Sequence, residues 1–118
     1  MTTLPDITDA EMQTVLEYAQ PYVVAVLKAG PAYGSDEAPR IIREHGRRLI
    51  ALRKAGDLVV VLPAQDDTDF CGVGVFDRSV ETVTQLMNDD PAVQAGVFTF
   101  DVHPVQGFPG DALPPASK

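Results

Sequence analysis

His45 and Asp90 are the residues whose types and positions are best suited to chemistry. His45 stands four residues after Ile41 and four before Leu49, inside an apolar stripe at helical spacing that also takes in Ile42 and Leu52. A histidine held there faces the core or its edge. Histidine side chains titrate near ~6.5, so this residue type is the one ready to take and give protons around neutrality. The same placement also suits an imidazole that only satisfies a backbone carbonyl in the core. Asp90 directly precedes Pro91, the ordinary place of a helix N-cap. A carboxylate can cap a turn and also hold an imidazole in one tautomer, the arrangement that supports proton transfer. Spacing alone does not bring the two together.

Other reactive side chains have weaker patterns. His103 lies on the polar side of an alternating VFTFDVH run together with Asp101, where it would line a cavity or an interface. Asp66, Asp67 and Asp69 form an acidic connection, but the glycine and closing glutamate of a calcium loop are missing, so a solvated turn is expected. Cys71 is the single cysteine and reads as small core filler, with no histidine near it in sequence. No CxxC or HExxH spacing points to a metal. GVGVF has neither the spacing nor the strand-to-helix setting of a dinucleotide fingerprint, and no cofactor is expected.

The elements that must position these residues follow from local pattern. Thr8 and Glu11 form a capping box for a helix to about Ala19, which Val15 and Leu16 would pack onto the domain. Strands are expected at 22–28 (YVVAVLK), 58–62 (LVVVL), 72–76 (GVGVF) and 97–103 (VFTFDVH). A long helix spans 37–55, capped by Asp36 or Ser35, with Pro39 in its first turn and Gly56 at its end. A second helix, capped by Ser79, runs to about Met87 and buries Val80, Val83, Leu86 and Met87. Asp90-Pro91 starts one more turn, which Gly96 closes. The two glycines of GVGVF mark close backbone approach or a bent strand.

The expected order is therefore a helix followed by β-α-β-β-α-β, an α+β fold of ferredoxin-like type with both helices on one sheet face. One domain covers 1–118, with a core at 22–107, an added helix at 8–19 and an extended tail at 108–118. The first strand alternates Val23, Ala25 and Leu27 with Tyr22, Val24 and Val26, so both its faces are apolar. A second subunit would cover the face without helices, and a homodimer is expected.

Charge narrows the partners. The chain of 118 residues has a net charge of −8, which disfavours nucleic acid and anionic membranes. Arg40, Arg43, Arg47, Arg48, Arg53 and Lys54 gather most of the positive charge on the long helix, where a solvated face is the simplest reading. The first residues, MTTLPDITDAEM, lack the basic-then-apolar pattern of a signal peptide, and no apolar run is long enough to span a bilayer. With one cysteine and no intrachain disulfide, a cytoplasmic setting is expected.

The segments EHGRRLIALRKAGDLVVVLP and GVGVFDRSVETVTQLMNDDPAVQAGVFTFDVHP resemble the YciI-like (YCII-related) family over roughly residues 22–107. The most specific points are His45 with Gly56, Ser79 with Glu81, Asp90-Pro91 followed by Ala95-Gly96, and Val102-His103-Pro104. The resemblance implies a ferredoxin-like fold assembled as a dimeric α+β barrel, with His45 and a neighbouring aspartate, taken as Asp90, at the active site. One member of that family removes chloride from a hydroxyquinone-type substrate, and related barrels include lactone isomerases and small monooxygenases. Two positions depart from the pattern: Leu62-Pro63 where many members have Gly-Pro, and Pro104-Val105 where many have Pro-Phe.

Three uses fit these residues. The first is a cofactor-independent enzyme in which His45 and Asp90 perform acid–base chemistry (elimination, isomerisation or hydrolysis) on a small, cyclic or aromatic substrate. The second is a homodimeric small-molecule binding or accessory protein without turnover. The third is an interaction module that uses only the dimer surface. A pocket beside His45 separates the first two from the third.

Overall fold

The computed structural model describes residues 3–117. It is an α+β structure in which a four-stranded antiparallel sheet has the order β2-β3-β1-β4. The strands are β1 (Gln20–Ala29), β2 (Leu58–Pro63), β3 (Phe70–Phe76) and β4 (Phe98–Gly107). The helices are α1 (Asp9–Glu17), α2 (Ala38–Ala55), α3 (Val80–Asn88) and the single turn α4 (Pro91–Gln94). Element order and strand order are compatible with a ferredoxin-like arrangement.

One sheet face carries the core. Val23, Ala25 and Leu27 of β1 are buried with Leu58 of β2, Phe76 of β3 and Phe98 of β4. α2 packs Ile41, Ile42, Leu49 and Leu52 against this core, and α3 adds Val83 and Met87, both fully buried. The opposite face carries Val24, Val26, Val73 and Val75, set by the cross-strand pairs Val26↔Val73 and Val24↔Val75, and these side chains are only half-buried.

β4 is longer than the sequence suggests. It continues through Pro104 to Gly107, pairing with β1 as far as Gln20↔Gly107. β4 is an edge strand, so the missing N–H of Pro104 need not interrupt a ladder. Pro21 is tolerated for a related reason: β1 meets β3 only from Val23 onward.

Two local expectations are corrected. The capping box of α1 forms, with Thr8 Oγ1 accepting from the Glu11 N–H and Glu11 Oε1 accepting from the Thr8 N–H. Val15 and Leu16 do not pack on the domain, however, and remain 52% and 48% exposed. The box stabilises the helix locally, whereas docking needs a facing apolar surface, and no residue of α1 is buried. Second, neither Asp36 nor Ser35 caps α2 through its side chain. Glu37 is the cap residue, with no side-chain cap bond, and the Ala38 N–H is satisfied by the Ser35 carbonyl at 3.2 Å.

Candidate functional site

His45 projects from the middle of α2 onto the edge of the core and is 7% exposed. Asp90 is fully buried at the start of α4. The fold joins them: His45 Nδ1 lies 3.0 Å from Asp90 Oδ1 and 2.9 Å from Oδ2. Against an ionised carboxylate this ring nitrogen must carry the proton, so His45 Nδ1–H donates and Nε2 is left with its lone pair in the neutral ring. Among the described residues no buried side-chain nitrogen or oxygen lacks a hydrogen-bond partner. Nε2 has no protein partner and is therefore open to the cavity beside it.

Asp90 is held from three sides. Its Oδ1 accepts the Ala92 N–H at 2.9 Å, the N-cap bond expected before Pro91. Its Oδ2 accepts from Arg48 Nη1 at 3.4 Å. Burial alone would raise the Asp90 pKa. The hydrogen bond and charge of His45, the Ala92 N–H and the Arg48 charge together outweigh it and hold the carboxyl below its ordinary value. Asp90 is thus an anion that fixes the tautomer and orientation of His45.

Arg48 was not singled out from the sequence beyond its place in the basic cluster. It follows His45 by three residues and so shares its helical face, which was the available signal. Phe98 supplies the other wall: its ring meets the His45 ring at 4.9 Å between centroids and 64°, an edge-on contact that limits rotation of the imidazole. The alternation of VFTFDVH sets Phe98 on the side away from His103, facing the helices, but not against His45 in particular.

The cavity holds about 340 Å³. Its inner wall is apolar, formed by Leu27, Ile42, Leu49, Leu58, Met87 and Phe98 around His45. Gly74 lies on the strand that floors it, where an added Cβ would stand 3.0 Å from Leu58 Cδ1 and 3.2 Å from Phe76 Cε1. A side chain there would press on the Leu58 and Phe76 side chains, whereas the close backbone approach expected in this strand falls at Gly72, where a Cβ would stand 3.0 Å from Leu62 O. Tyr33, Asp66, Thr68, Phe70 and Cys71 lie toward the mouth.

The loop carrying Tyr33 is fixed by backbone bonds to the turn between α4 and β4. The Gly30 N–H donates to Val97 O at 2.7 Å, and the Ala32 N–H donates to Gly96 O at 2.9 Å. The approach is so close that a Cβ on Gly30 would lie 2.4 Å from Gly96 O. Tyr33 in turn leans on Phe98, with ring centroids 6.0 Å apart.

The remaining candidates fall elsewhere or at the rim. His103 is exposed on β4, opposite Val24 and on the face away from the cavity, so it does not join His45. Asp101 lies on that same face and approaches Lys28 at 3.9 Å. The acidic connection is an exposed turn in which the Thr68 hydroxyl donates to Asp66 Oδ1 at 3.0 Å, and it also forms part of the mouth. Cys71 is half-buried at the mouth. Burial and the Asp69 charge push its thiol pKa up, against a hydrogen bond with Tyr33, which disfavours a thiolate nucleophile. No cluster of three or more His, Cys, Asp or Glu side chains that could hold a metal occurs among the described residues. No described helix is long and apolar enough to cross a membrane.

A scan of the chain against protein-family models matches none, and a search of curated proteins finds no match.

Proposed function

We propose that the protein is a small enzyme of YciI-like type in which His45 is the general base or acid and Asp90 its orienting anion. The observation that carries this reading is the geometry of one ring. Its Nδ1–H is committed to a buried carboxylate at 2.9–3.0 Å, while its Nε2 opens onto a cavity whose inner wall is otherwise apolar. A base so oriented removes a proton from a bound molecule at Nε2, and the imidazolium that forms is stabilised by Asp90. Returning that proton to a different atom gives isomerisation, and returning it to a leaving group completes elimination. Taken instead from water whose oxygen attacks an ester carbonyl, the proton passes to the alkoxide released as the C–O bond breaks, which is hydrolysis.

The functional unit in this reading is a homodimer of ferredoxin-like subunits forming an α+β barrel in the cytoplasm. The half-buried valines of the open sheet face support it, since a second sheet would remove them from water. Turnover of small cyclic esters, β-halo carbonyl compounds and enolisable ketones, assayed with wild type and His45→Gln, tests the enzyme reading. An activity reduced about a hundredfold or more by the substitution is expected.

One observation favours binding without turnover as a second reading: apart from His45, the inner wall carries no polar side chain that would stabilise a developing oxyanion. A ligand recovered unchanged, and bound equally by wild type and His45→Gln, would support it.

A further inference from the structure

We infer that the cavity takes an uncharged, single-ring-sized apolar molecule bearing one ionisable O–H or activated C–H, whose proton is delivered to His45 Nε2. This deepens the acid–base reading and rests on it for the direction of proton transfer. The choice of ligand class comes from where the charges of the site are placed.

Among the described residues, the part-buried cation and the buried anion of the site, Arg48 and Asp90, are spent on each other. Arg48 Nη1 is directed at Asp90 Oδ2, and Arg48 does not line the cavity. Asp90 stands behind the imidazole, with its oxygens engaged by His45, Arg48 and the Ala92 N–H. The other arginines and lysines of α2 do not line the cavity either. An anionic ligand would therefore lose its hydration without meeting a countercharge. It would also pass Asp66 at the mouth. A cation fares no better inside, because no carboxylate faces the inner wall.

Size and lining fit a neutral ring. A volume of about 340 Å³ is at the small end of ligand pockets, and Phe98 offers an aromatic wall. Proton transfer from such a ligand breaks its O–H or C–H bond, forms N–H at Nε2 and leaves the electron pair on the ligand. The ligand anion then faces the His45 cation, which is itself paired with Asp90. Charge appears only where a partner is already in place. A ligand that arrives as an anion has no proton to give and meets the lone pair of Nε2 in the neutral ring.

Binding of phenol, benzoate and benzylammonium to the wild-type protein, followed by NMR near neutral pH, tests the inference, since the three share a ring and differ in charge. Phenol is expected to bind about tenfold or more tighter than either ion, with the signals of Phe98 and Tyr33 shifting. Benzoate or benzylammonium binding as tightly as phenol would overturn it, as would phenol shifting neither aromatic residue or failing to bind. The two claims separate cleanly. If phenol binds tightest but catalysis survives in His45→Gln, the acid–base reading falls and the ligand class stands. If catalysis needs His45 but benzoate binds tightest, the ligand class falls alone.

Discussion

A histidine stands on each side of the sheet, His45 on α2 above the covered face and His103 on β4 on the open face, and the surroundings of the two differ in every respect that matters for chemistry. On the covered face, His45 is packed against Phe98, anchored to a buried carboxylate and open at one nitrogen to a cavity. On the open face, His103 is exposed among half-buried valines, beside a loose Lys28–Asp101 pair whose side chains are 50% and 59% exposed. An imidazole becomes a directed base only where its other nitrogen is fixed and water is mostly excluded. The open face supplies neither condition, and its apolar content is suited to association instead.

The comparison is broken most severely at Asp90. Asp90→Ala removes the anion from a buried pair and the cap from α4, leaving Arg48 and His45 without their acceptor. A loss of about 3–5 kcal/mol in stability is expected, read by urea unfolding. Next in size is Gly30→Ala, whose Cβ would meet Gly96 O at 2.4 Å. Separating the two loops should cost about 1–3 kcal/mol and displace Tyr33 from the mouth, weakening ligand binding in the same titration.

Acid should act through the covered face as well. The folded Asp90 pKa is depressed, so its contribution to stability is present above the unfolded aspartate value of about 3.9 and is lost as pH falls through the folded value. Unfolding midpoints measured downward from pH 6 should fall more steeply in wild type than in Asp90→Asn. Equal slopes would show that the carboxylate is not specially stabilised. The smallest effect belongs to the open face. His103→Ala should leave ligand binding in the cavity untouched, read by NMR titration with phenol. A large loss of binding there would place the chemistry on the wrong face.

How far this contrast could be read from sequence depends on the range of the forces involved. His45 was legible because an apolar stripe at i−4 and i+4 fixes a helical face. Asp90 was legible as a cap, since a carboxylate before proline has a local reason to be there. Their meeting was not local: it depends on how α2 and the α3–α4 turn pack over the same sheet. The alternation of VFTFDVH sets Phe98 on the covered face, where it is buried, but its contact with His45, like the place of Tyr33, is tertiary. The strands and helices were legible for the local reasons that build them. β4 exceeded its expected end because pairing with β1 overrides the weak propensity of Pro104 and Gly107. The packing of α1 failed for the converse reason, since an apolar stripe does not name its partner.

The most direct measurement is the nitrogen-15 spectrum of the His45 ring, recorded at a pH where the ring is neutral, with and without phenol. A protonated Nδ1 with an unprotonated Nε2 is expected, and Nε2 should be the nitrogen that responds to the ligand. A ring protonated at Nε2, or an Nε2 indifferent to a ligand bound in the cavity, would contradict the assignment of His45 as the base.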